Sequence, residues 1–440
     1  MQILSLSDNS FRKASSICLV VCLALVAMGE IFSLSALSLA GALGLCATCL
    51  AAPIERLVLF LVVMAPSDSM LMVGGSVSAT TVSGMILFAK LVIREKDAIK
   101  FSRLVLLGTI GIALFSLVGS LYTGDEYISS GFKFAVLLLA FSMLLDIASP
   151  SVCVERLSKA FIFGCILMAI FALVNLYGGF DGYPRLRALG GDPNYSGVYF
   201  AFASTLCLPF VFRKDRFDIA PFSILLFVIF CGALTQSRGF FVCVLPTVFY
   251  LVAKLALYIR KYAAVAIAIL LIFVLLYVMM GDQGFIGEMV ERFTAEETRG
   301  GSGRISVWLA YLNLFAASPL NFIFGVSTLD VSNAVNSVNV LGIHNIVAHN
   351  LYVEVLCMHG FLFAISYIGV FVGLYSQMKR RAVSEKRYSL PLVTVLIGYF
   401  FLNGALNIVL VVLLFLSGCS LYGGFAPSSA KRSNQDLLGC

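Results

Sequence analysis

From about residue 14 to residue 280, and again from about 350 to 425, the chain is a succession of apolar runs broken by short polar stretches. A helix rises about 1.5 Å per residue, so a run of about 20 apolar residues crosses the roughly 30 Å hydrocarbon layer of a bilayer. Inside that layer every backbone N–H and C=O must be satisfied within the protein, which restricts spanning segments to helices and closed barrels. The runs are continuous instead of alternating in short segments, and that selects helices. The expected fold is therefore an all-α polytopic membrane protein with about 12–14 transmembrane helices.

The runs fall at about 14–29, 31–51, 57–73, 77–93, 104–121, 132–149, 159–178, 195–212, 219–236, 240–258, 262–280, 350–376, 388–403 and 405–423. They divide the chain into a helical bundle over 1–280, a large loop with amphipathic helices over 281–349, C-terminal spans over 350–425 and a polar tail over 426–440, read as disordered. Residues 1–15 are polar and lead into the first run without a signal-peptide cleavage site. Only 12% of the residues are charged, against about 25% in soluble domains. The net charge of +7 is no nucleic-acid signal, because the Lys and Arg residues sit in the short loops that set topology. The cysteines lie mostly inside apolar runs, where Cys is a small hydrophobe. Cys46 and Cys49 have redox spacing, but on an apolar helix.

Placing both termini in the cytoplasm puts most cations on that side and leaves seven of the 30 on the far face: Lys133, Arg185, Arg187, Arg238, Arg292, Arg299 and Arg304. Six of the seven are Arg, whose planar fork of donors suits bidentate contact with phosphate or carboxylate. They fall on three outer segments, so a shared anionic ligand explains them better than separate contacts with lipid headgroups.

The first segment contains Arg185, Arg187, a Gly190-Gly191 pair and Asp192-Pro193-Asn194. Asp192 and Asn194 read first as caps of the helix that follows, while the glycine-rich turn is also suited to pointing backbone N–H groups at an anion. The second segment, Ser237-Arg238-Gly239, breaks two apolar runs, and an arginine so placed is a functional candidate. The third is the long loop, about Gly281 to Gly360, the one long stretch that a membrane cannot hold. Arg304 and Trp308 share a helical face there, and Trp308 reads as an interfacial anchor. His349-Asn350 opens the next span. An imidazole at that mouth titrates near neutrality and accepts a proton from a hydroxyl, or else is an interfacial polar residue. Glu354 follows within the span, in position to support His349 or to bond elsewhere in the bundle. No HxH, HExxH or carboxylate cluster suggests a metal site.

Taken in order, Arg185-Leu-Arg-Ala-Leu-Gly-Gly-Asp-Pro-Asn194, the Ser237-Arg238-Gly239 break, Arg304-x-x-x-Trp308 and His349-Asn350 followed nine residues later by Gly360 resemble the O-antigen ligase/polymerase superfamily of bacterial envelopes. The resemblance covers about residues 182 to 363. It implies a GT-C-like helical fold in the bacterial inner membrane with its active site facing the periplasm. It also implies transfer of a glycan from undecaprenyl pyrophosphate without metal or other cofactor. On this mapping Arg185, Arg187, Arg238 and Arg304 hold the pyrophosphate and His349 activates the acceptor hydroxyl. Asp192, Asn194, Asn350 and Glu354 support them. The family's ligases usually carry Gly, Thr or Tyr where this chain has Phe363, which tilts the expectation toward a polymerase that extends lipid-linked repeat units, with a chain-length regulator as a further partner. A ligase acting on lipid A core is the nearest alternative. A transporter of lipid-linked glycans is the alternative of another class; it would place its polar residues near mid-membrane, whereas here they gather at one face.

Overall fold

The computed structural model describes residues 8–73, 77–94, 102–147, 150–179, 185–188, 191–213, 216–255, 304–338, 348–380, 382 and 387–423. These residues form helices, apart from two hairpins of two-residue strands. Helices α1 (Asp8–Ile31) and α2 (Ser35–Ala51) pack as a hairpin. Then come α3 (Ile54–Met64), a 3-10 turn over Ala65–Met70, the hairpin β1 (Met72–Val73) with β2 (Val77–Ser78), and α4 (Ala79–Arg94). Helices α5 (Arg103–Thr123), α6 (Ile128–Ile147) and α7 (Pro150–Gly178) continue the bundle. Next are α8 (Pro193–Val211), the hairpin β3 (Phe212–Arg213) with β4 (Arg216–Phe217), α9 (Ile219–Leu234) and α10 (Arg238–Leu255). After the outer helices α11 (Arg304–Ala317), α12 (Pro319–Phe324) and α13 (Thr328–Val338), the chain re-enters through α14 (Leu351–Val353), a π turn over Glu354–Met358 and α15 (Phe361–Arg380). Helices α16 (Leu390–Gly398) and α17 (Ile408–Gly423) follow.

Among the described residues six helices are long and apolar enough to cross a membrane: Ala14–Ile31, Arg103–Thr123, Ile128–Leu145, Val154–Gly178, Arg238–Leu255 and Phe361–Arg380. The chain is thus an all-α polytopic membrane protein. On α5, Leu107, Ile110, Leu114, Leu117 and Leu121 form an exposed stripe at helical spacing, as a lipid-facing side requires. The opposite side packs on α15, where Gly108 and Gly111 let the backbone come against Val370 and Ser366.

Three expected spans are shorter than their apolar runs. The run at 57–73 divides into α3, the 3-10 turn and β1, because Pro66 and Asp68 interrupt it. The span expected from 350 starts only at Phe361, after the π turn and the left-handed Gly360. The span expected at 388–403 is helical only over Leu390–Gly398, and the chain stays irregular to Asn407. These breaks bring Asp68, Glu354 and Asn407 to the walls of neighbouring cavities. The expected span at 262–280, the loop positions Arg292, Arg299 and His344, and the tail after residue 423 lie outside the described residues.

Two buried apolar clusters hold the molecule. The large one runs through the bundle helices. The small one, with Val307, Tyr311, Phe315, Val326, Val331, Ala348, Cys357 and Met358, lies between the outer helices and the π turn.

Candidate active site

The 185–194 segment and the break between α9 and α10 are laced together. Leu186 N–H donates to the Leu234 carbonyl at 3.0 Å, and Arg185 donates from Nε to the Thr235 carbonyl at 2.8 Å and from Nη2 to the Gln236 carbonyl at 3.3 Å. Ser237 Oγ donates to Asn194 Oδ1 at 2.9 Å. Asp192 caps α8, its carboxylate accepting from the Asn194 N–H at 2.7 Å, with Pro193 in the first turn. The break itself is tight: Gln236 has φ +47, in the left-handed region that costs a residue with a Cβ. Arg238 opens α10 directly after it, half-buried, and Arg187 Nη1 donates to the Gly191 carbonyl at 3.4 Å.

The outer helices are fastened to the bundle by a few named contacts. Asp125, between α5 and α6, accepts from Thr328 Oγ1 at 2.6 Å, from Thr328 N–H at 3.0 Å and from Tyr127 at 3.0 Å. Tyr122 donates to Asn321 Oδ1 at 2.8 Å. Val326 N–H donates to the Cys357 carbonyl at 2.9 Å. Gly325 (φ +98) and Gly360 (φ +85) sit back to back. A side chain on Gly360 would strike the Ile323 carbonyl and the Gly325 nitrogen, and one on Gly325 would strike the Met358 carbonyl. This crossing gives the His349-to-Gly360 spacing its physical meaning, since it fixes the far end of the segment that begins at His349.

His349 lies where these two constructions meet. Trp308 donates its indole N–H to the Ala348 carbonyl at 2.6 Å, so the ring expected to be an interfacial anchor holds the residue before His349. On the other side Asn350 caps α14, accepting from Tyr352 N–H at 3.1 Å and Val353 N–H at 3.4 Å, and Leu351 N–H donates to the Tyr399 carbonyl at 2.7 Å. Between these fixed neighbours His349 has φ +45. A non-glycine residue held there costs about 1–3 kcal/mol and persists only when its surroundings over-determine it. Its Nδ1 is buried and has no hydrogen-bond partner among the described residues. Burial first, and the Arg304 guanidinium second, push the imidazole below its ordinary pKa, while Asp192 pulls the other way. At neutral pH the ring is the neutral base, with a cation from α11 and a carboxylate from the α8 cap beside it.

Of the expected site residues, His349, Arg304 and Asp192 come together. Ser237, the residue before Arg238, is bonded to Asn194, two residues from Asp192. Arg185 is buried behind the break and binds the backbone on which Arg238 is mounted. Asn194 and Asn350 serve as connectors. Glu354 receives the backbone N–H groups of Gly404 and Ala405. The roles of Asp125 and Trp308 were not evident from the sequence; Asp125 is one acid in a short polar break, and only its contact with Thr328, 203 residues away, reveals its use. Among the described residues no group of three or more His, Cys, Asp or Glu is placed to hold a metal ion.

Residues 222–368 match a family model described as O-antigen ligase. The matched region includes Arg238, Arg304, His349, Asn350, Glu354 and Gly360 and leaves the 185–194 segment outside. No curated protein matches the chain.

Proposed function

We propose, from the match of residues 222–368 to the O-antigen ligase family model, that the chain transfers a glycan from undecaprenyl pyrophosphate to a sugar hydroxyl, with its site at the periplasmic face of the bacterial inner membrane and both termini in the cytoplasm. The acceptor hydroxyl attacks the anomeric carbon. The bond from that carbon to the pyrophosphate oxygen breaks with its electron pair going to the leaving group, and the hydroxyl proton passes to His349. A half-buried imidazole whose Nδ1 is buried without a hydrogen-bond partner among the described residues is the observation that carries this reading. Arg304 and Arg238, with Arg187 beside them, hold the developing diphosphate charge, the work that fixed donors do best in a water-poor site. Arg185 acts by positioning Arg238.

The acceptor in this reading is another lipid-linked repeat unit, making the protein a polymerase. Phe363, buried and stacked 4.4 Å from the His359 ring, fills the position that departs from the ligase pattern. The matched family's description favours the ligase reading, in which lipid A core is the acceptor. Purified protein given defined lipid-linked repeat units, with and without lipid A core, separates these. Chain growth on the lipid-linked units alone is the expected result. Growth only onto lipid A core makes it a ligase, and release of no carrier pyrophosphate under either condition ends the transferase reading.

A further inference from the structure

Two cavities open beside the site and share a wall. The smaller, about 270 Å³, is lined by Asp192 at the α8 cap and by Tyr195 and Ser196 of α8, and reaches Asp68 and Asn407. The larger, about 350 Å³, continues from Asp68 and Asn407 to Lys133, Tyr127, Glu354 and His359. Asp192, which acts on His349, thus lines one member of this cavity pair and Glu354 the other, with Asp68 and Asn407 common to both. The helix breaks build it: the 3-10 turn contributes Asp68, the π turn Glu354, and the irregular stretch after α16 Asn407.

The walls are prepared for a polar ligand. Glu354 is only 4% exposed, and its Oε2 has no hydrogen-bond partner among the described residues. Asp68 Oδ1 is likewise unpartnered there. Buried polar atoms left so are costly unless something occupies the space in front of them. A single ammonium, Lys133, among carboxyl, hydroxyl and amide groups is not the cluster of cations that a second pyrophosphate needs. Hydroxyl, amide and carboxyl groups interleaved with Met72, Met358 and Leu406 disfavour an acyl chain. A pyranose has hydroxyls at its edge and C–H groups on its faces, and this mixed lining matches it.

We propose that the two adjoining cavities form a saccharide groove that holds sugar residues of the glycan next to the one being transferred, with Asp68 and Glu354 accepting sugar hydroxyls and Lys133 donating to one. The proposal rests on the transferase reading for its link to His349, but binding of sugar does not depend on turnover. The probe is the lipid-free, phosphate-free repeat-unit oligosaccharide released by mild acid from the source cell's surface polysaccharide. It is titrated calorimetrically into full-length protein in detergent.

Wild type and His349→Ala bind it alike, whereas Lys133→Met and Glu354→Gln weaken binding about tenfold or more, the loss of one or two hydrogen bonds involving a charged or buried group. Ser130→Trp, at the wall of the larger cavity, blocks binding without touching a buried carboxyl and covers the case in which Glu354→Gln fails to fold. In the transfer assay, a KM raised for the acceptor assigns the groove to the acceptor glycan, and a KM raised for the lipid-linked donor assigns it to the donor. Absent wild-type binding, or binding unchanged in all three variants, overturns the groove even if transfer proceeds. Normal sugar binding without transfer overturns the transferase reading and leaves the groove standing.

Discussion

The two halves of the site are built on opposite plans. In the half from Arg185 to Ser237, most polar groups are turned inward on the protein: Arg185 on two carbonyls, Ser237 on Asn194, Asp192 on its own helix cap. In the half around His349, the neighbours are pinned while the central residue is strained and its Nδ1 lacks a partner. A satisfied hydrogen-bond lattice supplies rigidity and has little left to offer a substrate. An orphaned group in a rigid frame is costly in the folded state and ready for chemistry. The first half is the mount and the second the reagent.

If that contrast holds, substitutions in the second half remove activity from a folded protein, and those in the first remove the fold locally and activity with it. The largest effect is expected for His349→Ala: transfer falls by about 10²–10⁴-fold, the range for a lost general base, with an unchanged melting temperature. Arg304→Ala and Arg238→Ala each lower turnover by about 10²–10³-fold, as lost charge-stabilising donors do. Lys at either position restores little, because it lacks the fork. Arg185→Ala tests the mount. It leaves the Thr235 and Gln236 carbonyls without their donors and destabilises by about 1–3 kcal/mol, read as a lowered melting temperature that His349→Ala does not show. Activity fully lost at unchanged stability would move Arg185 into direct contact with the pyrophosphate.

Two finer changes sharpen the comparison through pH. The neutral imidazole is complete above the depressed pKa of His349 and is lost as pH falls through it, so the acid limb of the rate profile reports that pKa. Asp192→Asn keeps a competent cap and removes the carboxylate that raises the pKa, so the acid limb moves to lower pH. Arg304→Met removes the cation that lowers it, so the limb of the residual activity moves to higher pH. Limbs that stay put in both variants would show that His349 is not the titrating base. Trp308→Phe, which loses only the bond to the Ala348 carbonyl, has the smallest expected effect, about 0.5–1.5 kcal/mol, seen as a modest fall in turnover with substrate binding unchanged.

Much of the site was legible in the chain because membrane proteins restrict where polar groups stand. An arginine between apolar runs, as at Arg238, and a His-Asn pair at the mouth of a span stand out against a hydrocarbon background. The cap at Asp192 was legible too, since capping is local chemistry. For Glu354 the sequence left two partners open, His349 or another part of the bundle, and the structure gives it the backbone N–H groups of Gly404 and Ala405. Arg185 was visible as an outer cation and not as a strut, because nothing local announces carbonyls 50 and 51 residues away.

By itself the sequence determined a helical membrane protein, with its polar residues confined to a few breaks, because long apolar runs have no other way to satisfy their backbones in lipid. Only the tertiary structure decided where those runs stop being helical. It also decided that Gly325 meets Gly360, that Trp308 holds the backbone at Ala348, and that His349 faces Arg304 and Asp192. Those outcomes depend on contacts between residues far apart in the chain, whose energies are set by packing and mutual burial and leave no periodicity to read.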